Sequence, residues 1–238
     1  MRQILPNVSK GRYKMNILED LKSRLTLSAE SDITNEIFTE IAKILFGSCI
    51  IKKDDSMYAV TDIEFYFYNK KHKDIITHPR DCKAMQWYVN DFGGIDLTFE
   101  SRIESVKDTN KKGKNIIKPQ LDDSSYFGGI LIRGLKDINS GEELVGPWAC
   151  SEIFRLHDAC GGCDFPTLIM METGQRVPEP EARYHLVRKN NEQEIEKKVR
   201  YILSTYENGN DEILVKEMIE SFKEFKDKNY RYVLKNNI

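Results

Sequence analysis

The sequence has no apolar run that approaches the roughly 20 residues that a helix needs to cross a bilayer. We therefore expect no membrane partner. It also has no excess of basic residues, because 36 Lys and Arg stand against 38 Asp and Glu, a net charge of -2. Without a global positive field, any contact with nucleic acid must rely on a local patch. No internal repeat is visible.

The cysteines are few, odd in number and irregularly spaced, and we find no cleavable signal segment ahead of them. This favours reduced thiols and a cytoplasmic protein. Cys160 and Cys163 have the spacing of a metal knuckle or a redox pair. A structural zinc site needs four ligands, and the nearest candidates, Cys150 and His157, lie in a predicted helix. We therefore favour a simple turn and expect neither metal nor cofactor.

The apolar pattern predicts an α/β (α+β) fold with a central curved, mostly antiparallel sheet flanked by helices, plus a C-terminal helical extension. We expect residues 1–14 to form a leader. Two helices follow, the second after Ser31 and Asp32, which are good N-cap residues, and Gly47 ends it. Predicted strands cover residues 49–53, 57–67, 94–101, 115–118, 126–135 and 168–171.

Two amphipathic helices are predicted near the end of the chain, over residues 192–206 and 211–228. Residues 177–183, rich in proline and charge, are the expected linker. We therefore divide the chain into an α/β domain, 15–188, and a C-terminal helical extension, 189–238. A protein partner that binds these helices is one role for the extension.

Glu64 lies in a strongly apolar stretch, so we do not expect its side chain to be fully surrounded by bulk water. A carboxylate there is either paired or suited to accept a proton from water. The alternative is an ordinary strand glutamate on the solvent face or in a salt bridge. Period-two geometry places Tyr66 and Tyr68 on the same face as Glu64.

Two further residues carry relevant chemistry. His78 offers another flat ring, although a histidine before proline is commonly a loop residue with a satisfied hydrogen bond. Arg133 ends an apolar run typical of a central strand, where an arginine is normally paired with a carboxylate. Glu64 is the natural partner.

Several short motifs occur in an order that resembles the 3-methyladenine (alkyladenine) DNA glycosylase family. The family has a Leu-Leu-Gly helix end, a Glu-x-Tyr strand, an Asp-x-x-x-His element, a Val-Leu-Ile-Arg strand and a Gly-Pro before a helix. The matching segments here are 42–47, 58–66, 74–78, 129–133 and 146–147.

This resemblance implies a monofunctional N-glycosylase of base excision repair, which acts on DNA without a metal or a lysine Schiff base. Glu64 would activate water, and Arg133 would help to hold that water. Tyr66 and His78 would sandwich a base extruded from the stack. Phe92 would be the aromatic wedge in the duplex.

The chain also departs from the family pattern. Asp91 and Asp96 follow Trp87 close to where phosphates would pass, and acids there weaken DNA binding. Two other functions therefore stay open. One is an N-glycosidase or binder of a free nucleotide or nucleoside, and the other is a non-catalytic interaction module on the same fold. The sequence does not identify the excised base.

Overall fold

The helices form where the apolar residues recur every three or four positions. The computed structural model describes residues 16–90, 93–109, 115–154, 166–175, 177–183 and 191–234. Five α-helices lie within these ranges: α1 (Ile17–Leu25), α2 (Asn35–Ser48), α3 (Pro147–Ser151), α4 (Glu192–Leu203) and α5 (Glu212–Phe225). Helix α3 begins with Pro147, as its sequence predicts, and continues into a 3-10 turn, Glu152–Phe154.

The strands are short except for two that form the centre of the sheet. In chain order they are β1 (Cys49–Lys53), β2 (Ser56–Asn69), β3 (His72–Lys73), β4 (Trp87–Val89), β5 (Ile95–Thr98), β6 (Glu104–Thr109), β7 (Asn115–Gln120), β8 (Phe127–Asp137), β9 (Glu143–Val145), β10 (Thr167–Met170) and β11 (Arg231–Val233). All of the pairings between them in the described residues are antiparallel.

The main sheet has the order β10-β1-β2-β8-β5-β4 and is curled. Strands β3 and β11 pair with further parts of β2, and β9 pairs with β8, whereas β6 and β7 form a separate hairpin. The α/β fold predicted from the sequence, with its curved antiparallel sheet and flanking helices, is confirmed.

Strand β2 carries different chemistry on its two faces. On one face the Phe65 ring stacks on Phe38 of α2, with 4.5 Å between the centroids. Because side chains alternate along a strand, Glu64 and Tyr66 lie on the opposite face. The register of β2 with β8 shifts next to Asp62, at an irregularity of the bulge type that bends a strand and re-aims its side chains.

The C-terminal helices pack on the body of the protein. Val199 of α4 and Phe222 of α5 belong to a second core cluster that also contains Tyr68 and Phe127 from the central strands. After α5 the chain returns to the sheet, where β11 pairs with β2 from Asp62 to Glu64. The last part of the chain therefore borders the strand that carries Glu64.

Two details differ from the sequence-based expectations. Helix α2 begins at Asn35 and not directly after Asp32; Ser31 accepts from the Ser28 N–H and Asp32 binds Lys71, so neither caps the helix. Residues 177–183, the expected linker, are held on the body of the protein, since Glu181 bridges to Arg231 and Arg183 is buried. Over the described ranges, no helix is long and apolar enough to cross a membrane.

Candidate functional site

The central pair of strands brings Glu64 and Arg133 together. Glu64 faces Leu131 in the register of β2 with β8, and its side chain is fully buried. Nη1 of Arg133 lies 3.2 Å from Oε2 of Glu64. The pairing expected from sequence is confirmed. A carboxylate buried this deeply requires such a partner.

Tyr66 holds the same carboxylate from its own strand. Its hydroxyl donates a hydrogen bond of 2.7 Å to Oε2 of Glu64. Burial, followed by the negative charge of Glu64, raises the pKa of Tyr66 well above its ordinary value. The phenol therefore keeps its proton and remains a donor, so that Oε2 is oriented by both a phenol and a guanidinium.

A second buried arginine lies over the ring of Tyr66. The Arg183 guanidinium carbon is 4.9 Å from the ring centroid, within the range of a cation–π interaction. Two nitrogens of Arg183 bind the Asp74 carboxylate at 2.6 and 3.3 Å. Burial alone lowers the pKa of Arg183, but Asp74 reverses this and raises it. Asp74 thus fixes the cation that supports the ring of Tyr66.

A cavity of about 180 Å³ opens beside Tyr66. We call it the first cavity. Its lining residues are Tyr66, Ile76, His78, Arg80, Asn90, Gly93, Asp96 and Leu131. The volume lies below the roughly 300–1,000 Å³ of drug-sized ligand sites, and it suits one small ring system with a few polar contacts. Both predicted base-binding residues, Tyr66 and His78, line it.

The polar wall of the first cavity is an ion pair. Arg80 binds Asp96, both side chains are almost fully buried, and Asn90 donates to Asp96 at 2.8 Å. Arg80 also lies over the Tyr88 ring, 4.5 Å from its centroid. The expectation that Asp96 repels passing phosphates is therefore wrong, because its charge is buried and paired.

A second cavity, of about 370 Å³, is lined by Arg133, the partner of Glu64. Its lining includes the charged residues Asp62, Arg133 and Arg231. Residues of β9 and Gln175 complete the wall. Arg231 of β11 binds Asp62 through two nitrogens, at 3.0 and 2.6 Å. Tyr66 lines the first cavity and Arg133 the second, and both bind Glu64, so each cavity is separated from the buried carboxylate by one of its two partners.

Four predicted site residues thus converge, since Glu64 and Arg133 are in contact and Tyr66 and His78 share a cavity. Phe92 and Asp91 lie outside the described residues, as do Cys160 and Cys163.

Sequence reasoning missed a set of charged residues around the site: Asp62, Arg80, Arg183 and Arg231. Asp62 was detectable, because it precedes Glu64 by two positions on the same strand. The arginines follow no local apolar pattern, so nothing in the sequence marked them as buried.

Comparison with known proteins adds little chemistry. No family model matches the chain. An uncharacterized protein of Acanthamoeba polyphaga mimivirus is 28% identical over 144 residues, which is 56% of this chain and 62% of that protein. The chain therefore matches about three-fifths of the length of this relative. The similarity to this protein is a finding about sequence and carries no activity with it.

Proposed function

We propose that this protein is an N-glycosylase-like hydrolase that cleaves the bond between a nucleobase and its sugar. The observation that carries the proposal is the position of Glu64. Its carboxylate is buried and is oriented by Tyr66, which lines the first cavity, and by Arg133, which lines the second. A carboxylate held in this way is suited to take a proton from an attacking water.

Each cavity has a separate task in this proposal. The first cavity takes the base, with Tyr66 and His78 supplying flat rings. An enzyme that acts on a base must remove it from the stack and hold it in such a pocket. The second cavity, lined by charged residues, supplies water to Glu64. Arg133 is placed to hold that water because it contacts both the second cavity and the carboxylate.

The chemical step needs no further reactant. Glu64 accepts a proton from water while the water oxygen forms a bond to the anomeric carbon of the sugar. The bond from that carbon to the base nitrogen breaks, and its electron pair leaves with the base. The departing base takes up a proton from the solvent, and Glu64 releases the proton that it accepted, so that the net reaction adds one water across the bond. No lysine adduct is required, so the products are a free base and a sugar with a hydroxyl at the anomeric carbon.

Base release from defined substrates tests this function. The protein is incubated with single-stranded DNA, duplex DNA and mononucleotides that carry alkylated, deaminated or natural purines, and free base is measured by mass spectrometry. Glu64→Gln should lower release by about 10²–10⁴-fold, the usual contribution of a general base. The fold should remain, because glutamine keeps the shape and one acceptor oxygen.

Glu142→Gln is the matched control. It makes the same chemical change at an exposed glutamate that lines neither the first nor the second cavity. We expect this variant to retain its activity. Undiminished base release by Glu64→Gln would end the general-base assignment. Absence of release from every substrate would favour a binding module.

A further inference from the structure

Two large aromatic side chains are exposed beside the first cavity. Trp148 is 65% exposed and Tyr201 is 60% exposed. Side chains of this type are usually mostly buried, and exposed ones supply stacking surfaces for flat ligands. Neither ring takes part in the site around Glu64, so their exposure calls for a separate explanation.

Trp148 joins the first cavity through Gly93. Gly93 lines that cavity, and a Cβ atom added to it would overlap the six-membered ring of Trp148. The next glycine, Gly94, is packed in the same way, since its added Cβ would lie 3.0 Å from Pro147. The side chain of Trp148 therefore rests directly on the wall of the first cavity and exposes its remaining surface.

Tyr201 joins the first cavity through His78. A third cavity of about 410 Å³ is lined by Tyr201 and Lys198 of α4, and it shares His78 and Ile76 with the first cavity. The Lys198 ammonium lies 5.5 Å from the centroid of the Tyr201 ring. A cation over one face of an exposed ring suits a nucleotide, because a base can stack on the other face while the cation meets the phosphate.

The wall of the third cavity also contains a polar group that lacks a partner. Thr77 is fully buried, and its hydroxyl makes no hydrogen bond with any of the described residues. Buried polar groups are almost always hydrogen-bonded in proteins. An acceptor oxygen on the sugar or phosphate of a bound nucleotide would satisfy this hydroxyl after a small local adjustment.

The charges around the candidate site argue against strong phosphate binding. The arginines of the site and its two cavities are each held by a carboxylate: Arg80 by Asp96, Arg133 by Glu64, Arg183 by Asp74 and Arg231 by Asp62. The chain as a whole has a net charge of -2. Stacking, which does not depend on net charge, is then the main available source of affinity for a polynucleotide.

We propose that the substrate is a single-stranded nucleic acid whose nucleotides on either side of the target base stack on Trp148 and Tyr201. This inference rests on the proposed function for the identity of the target in the first cavity. A free nucleotide has no neighbours to occupy these rings. The bases of a duplex keep their faces against one another and cannot present them to a protein surface.

Binding of a short fluorescein-labelled oligothymidylate, followed by fluorescence anisotropy, tests the inference without any base release. Trp148→Ala and Tyr201→Ala should each weaken binding about ten-fold or more, as the loss of one stacked base does. Phenylalanine at either position should restore most of the affinity. In a plot of the logarithm of the binding constant against the logarithm of the salt concentration, the slope should be on the order of -1.

Two variants serve as controls. Ile213→Ala removes an apolar side chain that is 80% exposed on α5, and Lys197→Ala removes an exposed lysine of α4 outside the third cavity. Neither should change binding. Stacking should also quench the fluorescence of Trp148, and Trp148→Phe supplies the baseline because Trp87 remains as the second tryptophan.

The outcomes separate this inference from the proposed function. Stacking-dependent binding without base release would support the nucleic-acid site and overturn the hydrolase. Base release from free nucleotides, with oligothymidylate binding absent or unaffected by both alanine variants, would overturn the single-strand inference alone. The single-strand inference would also be overturned if the protein bound duplex DNA as tightly as single-stranded DNA and neither alanine variant weakened either kind of binding.

Discussion

Arg183 holds Asp74 through two hydrogen bonds, at 2.6 and 3.3 Å, although 109 residues separate them in the sequence. The same guanidinium lies over the ring of Tyr66 and also donates to the carbonyl oxygen of Phe225 at the end of α5. One buried side chain thus links the segment after β3, the candidate site and the C-terminal helices. The stability of the site therefore depends on the end of the chain.

Arg183→Met should destabilise the protein by about 3–5 kcal/mol, because it leaves the Asp74 carboxylate buried without its cation. Urea unfolding measures the loss. The double variant Arg183→Met with Asp74→Asn should recover much of it, since no uncompensated charge then remains. Equal stabilities of the single and double variants would contradict a direct ion pair.

Arg133→Met should cost about 2–5 kcal/mol for the same physical reason, because Glu64 is fully buried. Adding Glu64→Gln to this variant should restore part of the stability. In a double-mutant cycle based on urea unfolding, we expect a coupling free energy well above the error of the measurement. Strict additivity would indicate that the two side chains do not interact in solution.

Stability should fall in mildly acidic solution because of His72. Burial lowers the pKa of His72 below its ordinary value of 6.5. The charge of Asp74 raises this pKa and the charge of Arg183 lowers it, but burial has the largest effect. Below pH 6.5 the unfolded chain therefore binds a proton that the folded protein does not. The free energy of unfolding should drop by at most about 1.4 kcal/mol per pH unit from there down to the lowered pKa.

Urea unfolding at several pH values checks this expectation for His72. Its neutral ring is placed between the carbonyl oxygen of Phe67 at 2.7 Å and the Tyr230 hydroxyl at 3.0 Å. His72→Gln should remove most of the dependence. A pH profile unchanged by His72→Gln would assign the effect to another group.

Gly93→Ala should destabilise the protein and displace Trp148. Gly93 has a φ of 81°, in the left-handed region, and an added methyl group would overlap the Trp148 ring. The backbone strain alone is worth about 1–3 kcal/mol. Gly141→Ala is the matched control, because Gly141 has a φ of 78° and nothing within 4 Å of an added Cβ.

The comparison of the two glycine variants isolates the contact with the ring. Both should lose stability through backbone strain, but only Gly93→Ala should also shift the emission of Trp148. Unfolding free energies and tryptophan emission spectra of the two proteins give the result. The same emission change in both variants would mean that Gly93 does not support the tryptophan.

Local patterns in the sequence were enough to predict the two central strands and most of the helices. Alternation placed Glu64 and Tyr66 on one face of β2 because side-chain direction in a strand depends only on sequence position. The predicted contact of Glu64 with Arg133 followed from the cost of burying an unpaired charge. That cost is independent of the path that the chain takes between them.

The return of the chain to the sheet could not be predicted in this way. Strand β11 has three residues, of which only Tyr232 is buried, and such a short segment carries no periodic pattern. Its pairing with β2 depends on the packing of α4 and α5, which brings the chain back. The same packing buries Arg183, which the sequence placed in an expected linker.

The sequence by itself determined which strand carries the acid, which side chains share its face, and where the amphipathic helices lie, because these features depend on neighbours in the chain. Only the tertiary structure decided which cations hold which carboxylates and where the cavities open. Those features depend on atoms that are distant in sequence, and their energies arise only when folding removes water from both partners.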